Sequence, residues 1–263
     1  MRQTTPTIGA LLRDWRSRRH LSQLALATEA RISTRHLSYL ETGRARPSRD
    51  MVLHLCDHLD VPLRERNVLL MAAGFAPVFP QRGLDDPALG PAMAAVRTLL
   101  AAHEPFPALA VDRHWTILAT NRAVAPLLEG VAPALLAPPA NALRISLHAE
   151  GLAPRIRNLA EWRDHVLARL ARQVAATADP VLATLRDELA SYPAPAPLSG
   201  APATPAVAVP LRLAVGEAEL SLISTTTVFG TPLDVTLAEL ALETFLPADA
   251  ASAAALRALC PSG

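Results

Sequence analysis

Residues 21–48 read LSQLALATEARISTRHLSYLETGRARPS, and they constrain the chain more than any other stretch. Ser22 is suited to cap a helix, because its short side-chain oxygen can accept one of the first unpartnered N–H groups. Leu21 stands just outside that cap. Leu24, Leu26 and Ala27 then supply an inward face at helical spacing, with Ala27 small enough for two helices to cross closely. Ile32 is apolar in the turn. Ser33 caps the next helix, whose buried positions are Leu37 and Leu40. Gly43 ends that helix as a residue tolerant of positive φ does. Two short capped helices joined by a tight turn form a helix-turn-helix.

The flanks extend this unit to five helices. Residues 8–19 place Ile8, Leu11, Leu12 and Trp15 on one side and arginines on the other. Ser48 caps a fourth helix reaching residue 58. Pro62 opens a fifth through residue 73, with Gly74 as its stop. Thr34, Arg35, Ser38 and Tyr39 are left facing outward on the second helix of the pair. Major-groove reading is done from that position. Charge agrees. Residues 1–75 hold 12 arginines and 7 acids, whereas residues 76–263 hold 13 and 17. A net charge of +1 for the whole chain hides this local basic footprint.

A boundary falls at residues 75–91, where proline and glycine cluster. The expected division is a DNA-binding domain at 1–75, a linker at 76–91 and a second domain at 92–263. Residues 92–103 read as helix. Residues 109–111 and 115–119 read as two strands around the turn Asp112-Arg113-His114, and a short helix starts at Asn121. Helices are expected over 159–176 and 180–190. Residues 192–205, dense in Pro, Ala, Ser and Gly, read as a mobile surface loop. Three extended segments follow, at 206–215, 219–229 and 234–246. The last, DVTLAELALETFLP, permits helix as well as strand, and we read it as a strand. A helix over 248–259 closes an α+β domain.

Several classes of chemistry find no support. Two cysteines imply no disulfide framework and suit a reducing, cytoplasmic setting. The N-terminus lacks a signal peptide's apolar core, and no apolar run is long enough to span a bilayer. His54 and His58 stand four apart on a helix, but no third ligand of suitable spacing follows, so no metal site is expected. His148 beside Glu150 has no companion nucleophile. P-loop, GxGxxG, GxSxG and HExxH motifs are absent, so neither an enzyme nor a cofactor is expected.

The motifs SQxxLA (22–27), Ile32-Ser33, LSxLExG (37–43) and RxRPS (44–48) resemble the phage-repressor and Cro class, the XRE family. The likeness covers about residues 8–74. It implies that Gln23 touches a phosphate, that Thr34, Arg35 and Ser38 face bases beside Ser33 and Tyr39, and that Arg44 and Arg46 grip the backbone of double-stranded DNA. Arginine suits both tasks, since its planar fork meets guanine or phosphate bidentately. Residues 110–128, 141–162 and 229–249 are similar to the MmyB-like ligand-binding domain, which sits behind an XRE-type helix-turn-helix. This resemblance implies a PAS-like α+β sensor and a regulator controlled by a small apolar ligand, such as a long-chain fatty acid. An acyl chain needs an apolar tunnel and a polar head-group partner. Phe106, Trp115, Leu118, Leu147, Trp162, Val166 and Leu170 are the candidates for the lining, and Arg144, His148, Arg155 and Arg157 for the head. One helix-turn-helix per chain further suggests a homodimer on a pseudo-palindromic operator. In a competing reading the second domain only dimerises.

Overall fold

The computed structural model describes residues 6–193 and 208–260. The chain forms two compact units. One is built on Met1–Arg82 with Ala175–Ala178 and Pro232–Val235. The other comprises Gly83–Val174, Asp179–Thr231 and Thr236–Gly263.

The first unit holds α1 (Ile8–Arg18), α2 (Gln23–Glu29), α3 (Thr34–Glu41), α4 (Arg49–His58) and α5 (Leu63–Ala72). The caps read from the sequence are made. Ser22, Ser33 and Ser48 accept hydrogen bonds from the backbone N–H of Ala25, His36 and Met51. Each satisfies an otherwise orphaned donor at a helix start. Gly43 and Gly74 take positive φ where α3 and α5 end. The core joins Leu12, Trp15, Leu26, Ala27, Leu37, Leu40, Leu55, Leu69 and Leu70. Gly9 marks the crossing of α1 over the end of α3. A Cβ there would lie 2.5 Å from the Leu40 carbonyl oxygen, so only glycine permits this approach. One expectation fails: Leu24 is 66% exposed. Ala27 and Leu26 already fill the inward stripe of α2, which is only two turns long.

The second unit starts with α6 (Gly90–Ala102) and the hairpin β1 (Ala108–Val111) and β2 (Ile117–Thr120). Three-ten turns at Arg122–Leu128 follow, then α7 (Pro133–Leu136) and α8 (Ala142–Leu147). Next come α9 (Leu159–Thr177), α10 (Pro180–Ser191), β3 (Leu211–Val215), β4 (Ala218–Val228), α11 (Val235–Ala238), β5 (Ala241–Pro247) and α12 (Ala250–Leu259). The strands form one antiparallel sheet in the order β2-β1-β5-β4-β3. Period-two alternation splits its residues between two faces. Leu109, Val111, Leu211, Leu213 and Leu222 join a core with residues of α8, α9 and α10. Ala108, Ala110, Leu240 and Leu242 pack with Val96 and Leu100 of α6.

The stretch expected as one strand over 234–246 is divided. Residues 235–238 make a helical turn before β5 begins at Ala241. The alternation is real only from Ala241 onward, where β5 pairs with both β1 and β4. The strand expected to begin at 206 begins at Leu211, and residues 206–207 lie outside the described residues. Most of the expected loop, residues 194–205, lies outside them as well. Trp115 belongs to the turn rather than to β2. It holds φ 68°, while the Asp112 carboxylate accepts the N–H groups of His114 and Thr116 at 2.8 Å each. That left-handed step is uncommon for a bulky residue, and it accompanies burial of the indole.

Candidate nucleic-acid interface and ligand cavity

On α3, Arg35 is exposed, while Thr34, Ser38 and Tyr39 are half-buried. The Arg35 Nε donates to the Tyr39 hydroxyl at 3.0 Å, and its guanidinium lies 5.3 Å from that ring's centre. Arg44 approaches the same ring at 5.9 Å. Tyr39 therefore organises two cations, one for the helix and one for the exit loop, through cation–π attraction. Arg46 is exposed in that loop. Ser33 spends its hydroxyl on the cap of α3.

Beneath this surface Glu41 is buried. Arg16 donates to its two oxygens at 2.6 and 2.9 Å, and the Gln23 amide adds a bond of 2.8 Å. Burial alone pushes the Glu41 carboxyl up, but the bonds from Arg16 and Gln23 together outweigh it and hold the group below its ordinary value. Gln23 thus faces inward through one N–H, so a phosphate contact would use the other N–H of the same amide.

The second unit contains a cavity of about 100 Å3, walled by α8, α9 and the sheet. Its lining is mostly apolar and includes Trp115, Ile117, Leu143, Trp162, Val166, Leu213 and Phe245. Of the seven lining candidates, Trp115, Trp162 and Val166 reach the wall. Leu147 and Leu170 are buried in the surrounding core, and Phe106 packs against that core. Leu118 lies with the α6 cluster, because alternation along β2 sends its neighbour Ile117 to the cavity instead.

The expected head-group partners are engaged elsewhere. Arg144 donates to both carboxylate oxygens of Glu188 at 2.8 and 2.7 Å. His148 packs edge-on to Tyr192 at 5.2 Å, and its Nδ1 accepts the Glu150 N–H. Arg155 donates to the Leu127 carbonyl at 2.7 Å, and Arg157 lies 3.9 Å from Glu219.

The polar residues that do line the cavity are Ser146, His165, Arg169, Ser224 and Glu243. Arg169 forks onto Glu243 at 2.9 and 2.5 Å, donates to the Thr226 hydroxyl at 2.6 Å, and lies over Trp115 at 4.4 Å. His165 stacks on Trp162 at 5.4 Å. Burial, followed by the charges of Arg169 and Arg172, pushes the His165 pKa down. The Trp162 indole N–H donates to Ser146 at 2.9 Å. A signal for part of this set was present: 162, 165, 166 and 169 follow the i, i+3, i+4, i+7 pattern of one helix face. Glu243 had none, since its partner lies 74 residues away.

Among the described residues no cluster of three His, Cys, Asp or Glu side chains is placed to hold a metal. His54 and His58 meet edge-on at 4.7 Å, and a His54 ring nitrogen lies 2.7 Å from the Ala30 carbonyl oxygen. No helix described is long and apolar enough to cross a membrane.

Capped helices presenting exposed arginines, followed by an α+β unit with an apolar cavity, define a DNA-binding regulator with a sensor domain. A family model described as the MmyB-like transcription regulator ligand binding domain matches residues 92–259, and a helix-turn-helix domain model matches residues 7–69. The chain belongs to the MmyB-like transcription regulators. No curated protein matches it. Its two domains are those of a ligand-regulated transcription regulator, with DNA as one partner and a small molecule as the other.

Proposed function

We propose that this protein acts as a homodimer on a pseudo-palindromic operator, and that a small apolar ligand with a fatty-acid-like hydrocarbon body sets its affinity for that DNA. The observation that carries the reading is the cavity of about 100 Å3, lined by tryptophan, leucine, isoleucine, valine and phenylalanine, inside a ligand-binding domain. Dry apolar cavities of about this size take small hydrocarbons. A longer chain must displace wall side chains. Thr34, Arg35 and Ser38 read bases, Arg44 and Arg46 hold phosphates, and two copies of α3 engage half-sites about 34 Å apart. The second unit then serves as a PAS-like sensor.

Control requires that the ligand bind the DNA-competent and DNA-incompetent states unequally. The test is a pair of titrations on the full chain. An alkyl-chain probe at about 100 times its Kd should add about 2.7 kcal/mol to stability, and the same probe should change operator affinity. Stabilisation with unchanged DNA affinity would remove the switch and leave the pocket. A monomer in sedimentation at micromolar concentration, with a footprint on a single half-site, would remove the dimer.

A further inference from the structure

We propose that the cavity selects an electrically neutral ligand, an apolar body bearing a hydroxyl, amide or similar uncharged group, and that Glu243 is the residue that turns a carboxylate away. The inference rests on the apolar-ligand reading above and adds the charge of the polar end.

Among the described residues, Arg169 is the one arginine on the cavity wall. A fatty carboxylate would need it, and it is already taken. Glu243 binds it through both oxygens, Thr226 accepts a further N–H, and the Trp115 ring covers the guanidinium. Glu243 itself is 3% exposed and faces the cavity from β5. The pair is neutral as a unit. The second basic group on the wall, His165, is held towards its uncharged form by burial and by Arg169 and Arg172.

An incoming carboxylate therefore meets a buried negative charge, and the described lining offers no uncompensated cation beside it. To reach Arg169 it would have to displace Glu243 and leave that carboxylate buried and unpaired, which is strongly unfavourable. A neutral donor fits the same wall. Arg169 leaves lone pairs of Glu243 free to accept an O–H or N–H. Ser146 accepts the Trp162 N–H, and its own hydroxyl proton can be donated to a ligand oxygen.

The test uses the full chain and three probes of equal chain length: 1-decanol, decanamide and decanoate, at about pH 8, where decanoate is ionised. The alcohol and the amide should bind at least about tenfold more tightly than decanoate. Glu243→Gln should free Arg169 and raise decanoate affinity by about tenfold or more, so that the preference for the alcohol over decanoate is lost. The double variant Arg169→Gln/Glu243→Gln should lose that gain, since no cation remains. Decanoate binding the native chain as tightly as the alcohol does would overturn the proposal, whether or not Glu243→Gln folds. Failure of all three probes to bind would overturn the apolar-ligand reading itself, an outcome distinct from a reversed order of affinity.

Discussion

Glu41 in the helical unit and Glu243 in the α+β unit begin alike. Each is a buried carboxylate, at 5% and 3% exposure, gripped by both ends of one arginine. Their surroundings then diverge. Glu41 takes a third bond from Gln23, and Arg16 spends another N–H on the Leu21 carbonyl. The network ties α1, α2 and α3 together. Glu243 leaves part of its acceptor capacity facing a cavity. An ion pair bound further by a neighbouring side chain and a backbone carbonyl works as a clamp. The same pair beside empty space becomes part of a receptor, and its charge balance decides what enters.

The largest expected effect breaks the clamp. Glu41→Ala leaves the Arg16 guanidinium, only 14% exposed, without its carboxylate partner, which should cost about 3 kcal/mol. Thermal melts of the full chain should show this as a large loss of stability, accompanied by loss of operator binding. Glu243→Ala should cost less, because the Arg169 side chain is 22% exposed and keeps Thr226 and Trp115. Equal losses would erase the distinction between clamp and receptor.

Acid sharpens the same contrast. The Glu41 carboxyl sits below its ordinary value of 4.5 in the fold. A depressed carboxylate pKa contributes stability that is complete above the unfolded value and disappears as pH falls through the lower folded one. Denaturation of the native chain should therefore steepen below about pH 4.5. Glu41→Gln should flatten that part of the profile. An unchanged acid slope in the variant would place the linkage elsewhere.

The two units also differ in how much of them the sequence makes legible. The helical unit is written in local signals: Ser22, Ser33 and Ser48 form their caps within three residues, and Gly43 and Gly74 stop their helices where they stand. Leu24 misled because apolar character on a two-turn helix is not by itself burial. In the α+β unit the decisive events are non-local. Strand β5 is defined by pairing with β1, 130 or more residues earlier, so the boundary between α11 and β5 had no local mark. Arg144, His148 and Arg155 are head-group candidates by side-chain chemistry alone. Three-dimensional pairing gives them to Glu188, Tyr192 and a carbonyl group instead.

Intermediate effects belong to the DNA face and test whether α3 divides its labour. Arg35→Ala should cost about 1–3 kcal/mol on the operator and relax base preference at one position, if its fork reads a base edge. Arg44→Ala should weaken all sequences alike and reduce the salt-dependence slope by about one. Measured binding curves at several salt concentrations separate the two. A uniform loss for both variants would make α3 a backbone-gripping element without a reader.

The smallest expected effect concerns Arg144, which chemistry nominates as a carboxylate partner and geometry removes from the cavity wall. Its fork pairs with Glu188, and Tyr192 donates to the same carboxylate at 2.6 Å. Burial and that bond push the Tyr192 phenol up to about 12, so the hydroxyl stays a donor at neutral pH. The arginine and glutamate side chains are 43% and 33% exposed. Exposed pairs contribute about 0–1 kcal/mol, and Tyr192 remains bonded to Glu188 when the arginine is gone. Arg144→Ala should therefore shift the melting temperature slightly and leave the affinity for 1-decanol unchanged. If decanoate or decanol binding fell tenfold in this variant, the polar end of the ligand site would lie beside Glu188 rather than at Arg169 and Glu243. The comparison of the two buried glutamates would then lose its receptor half.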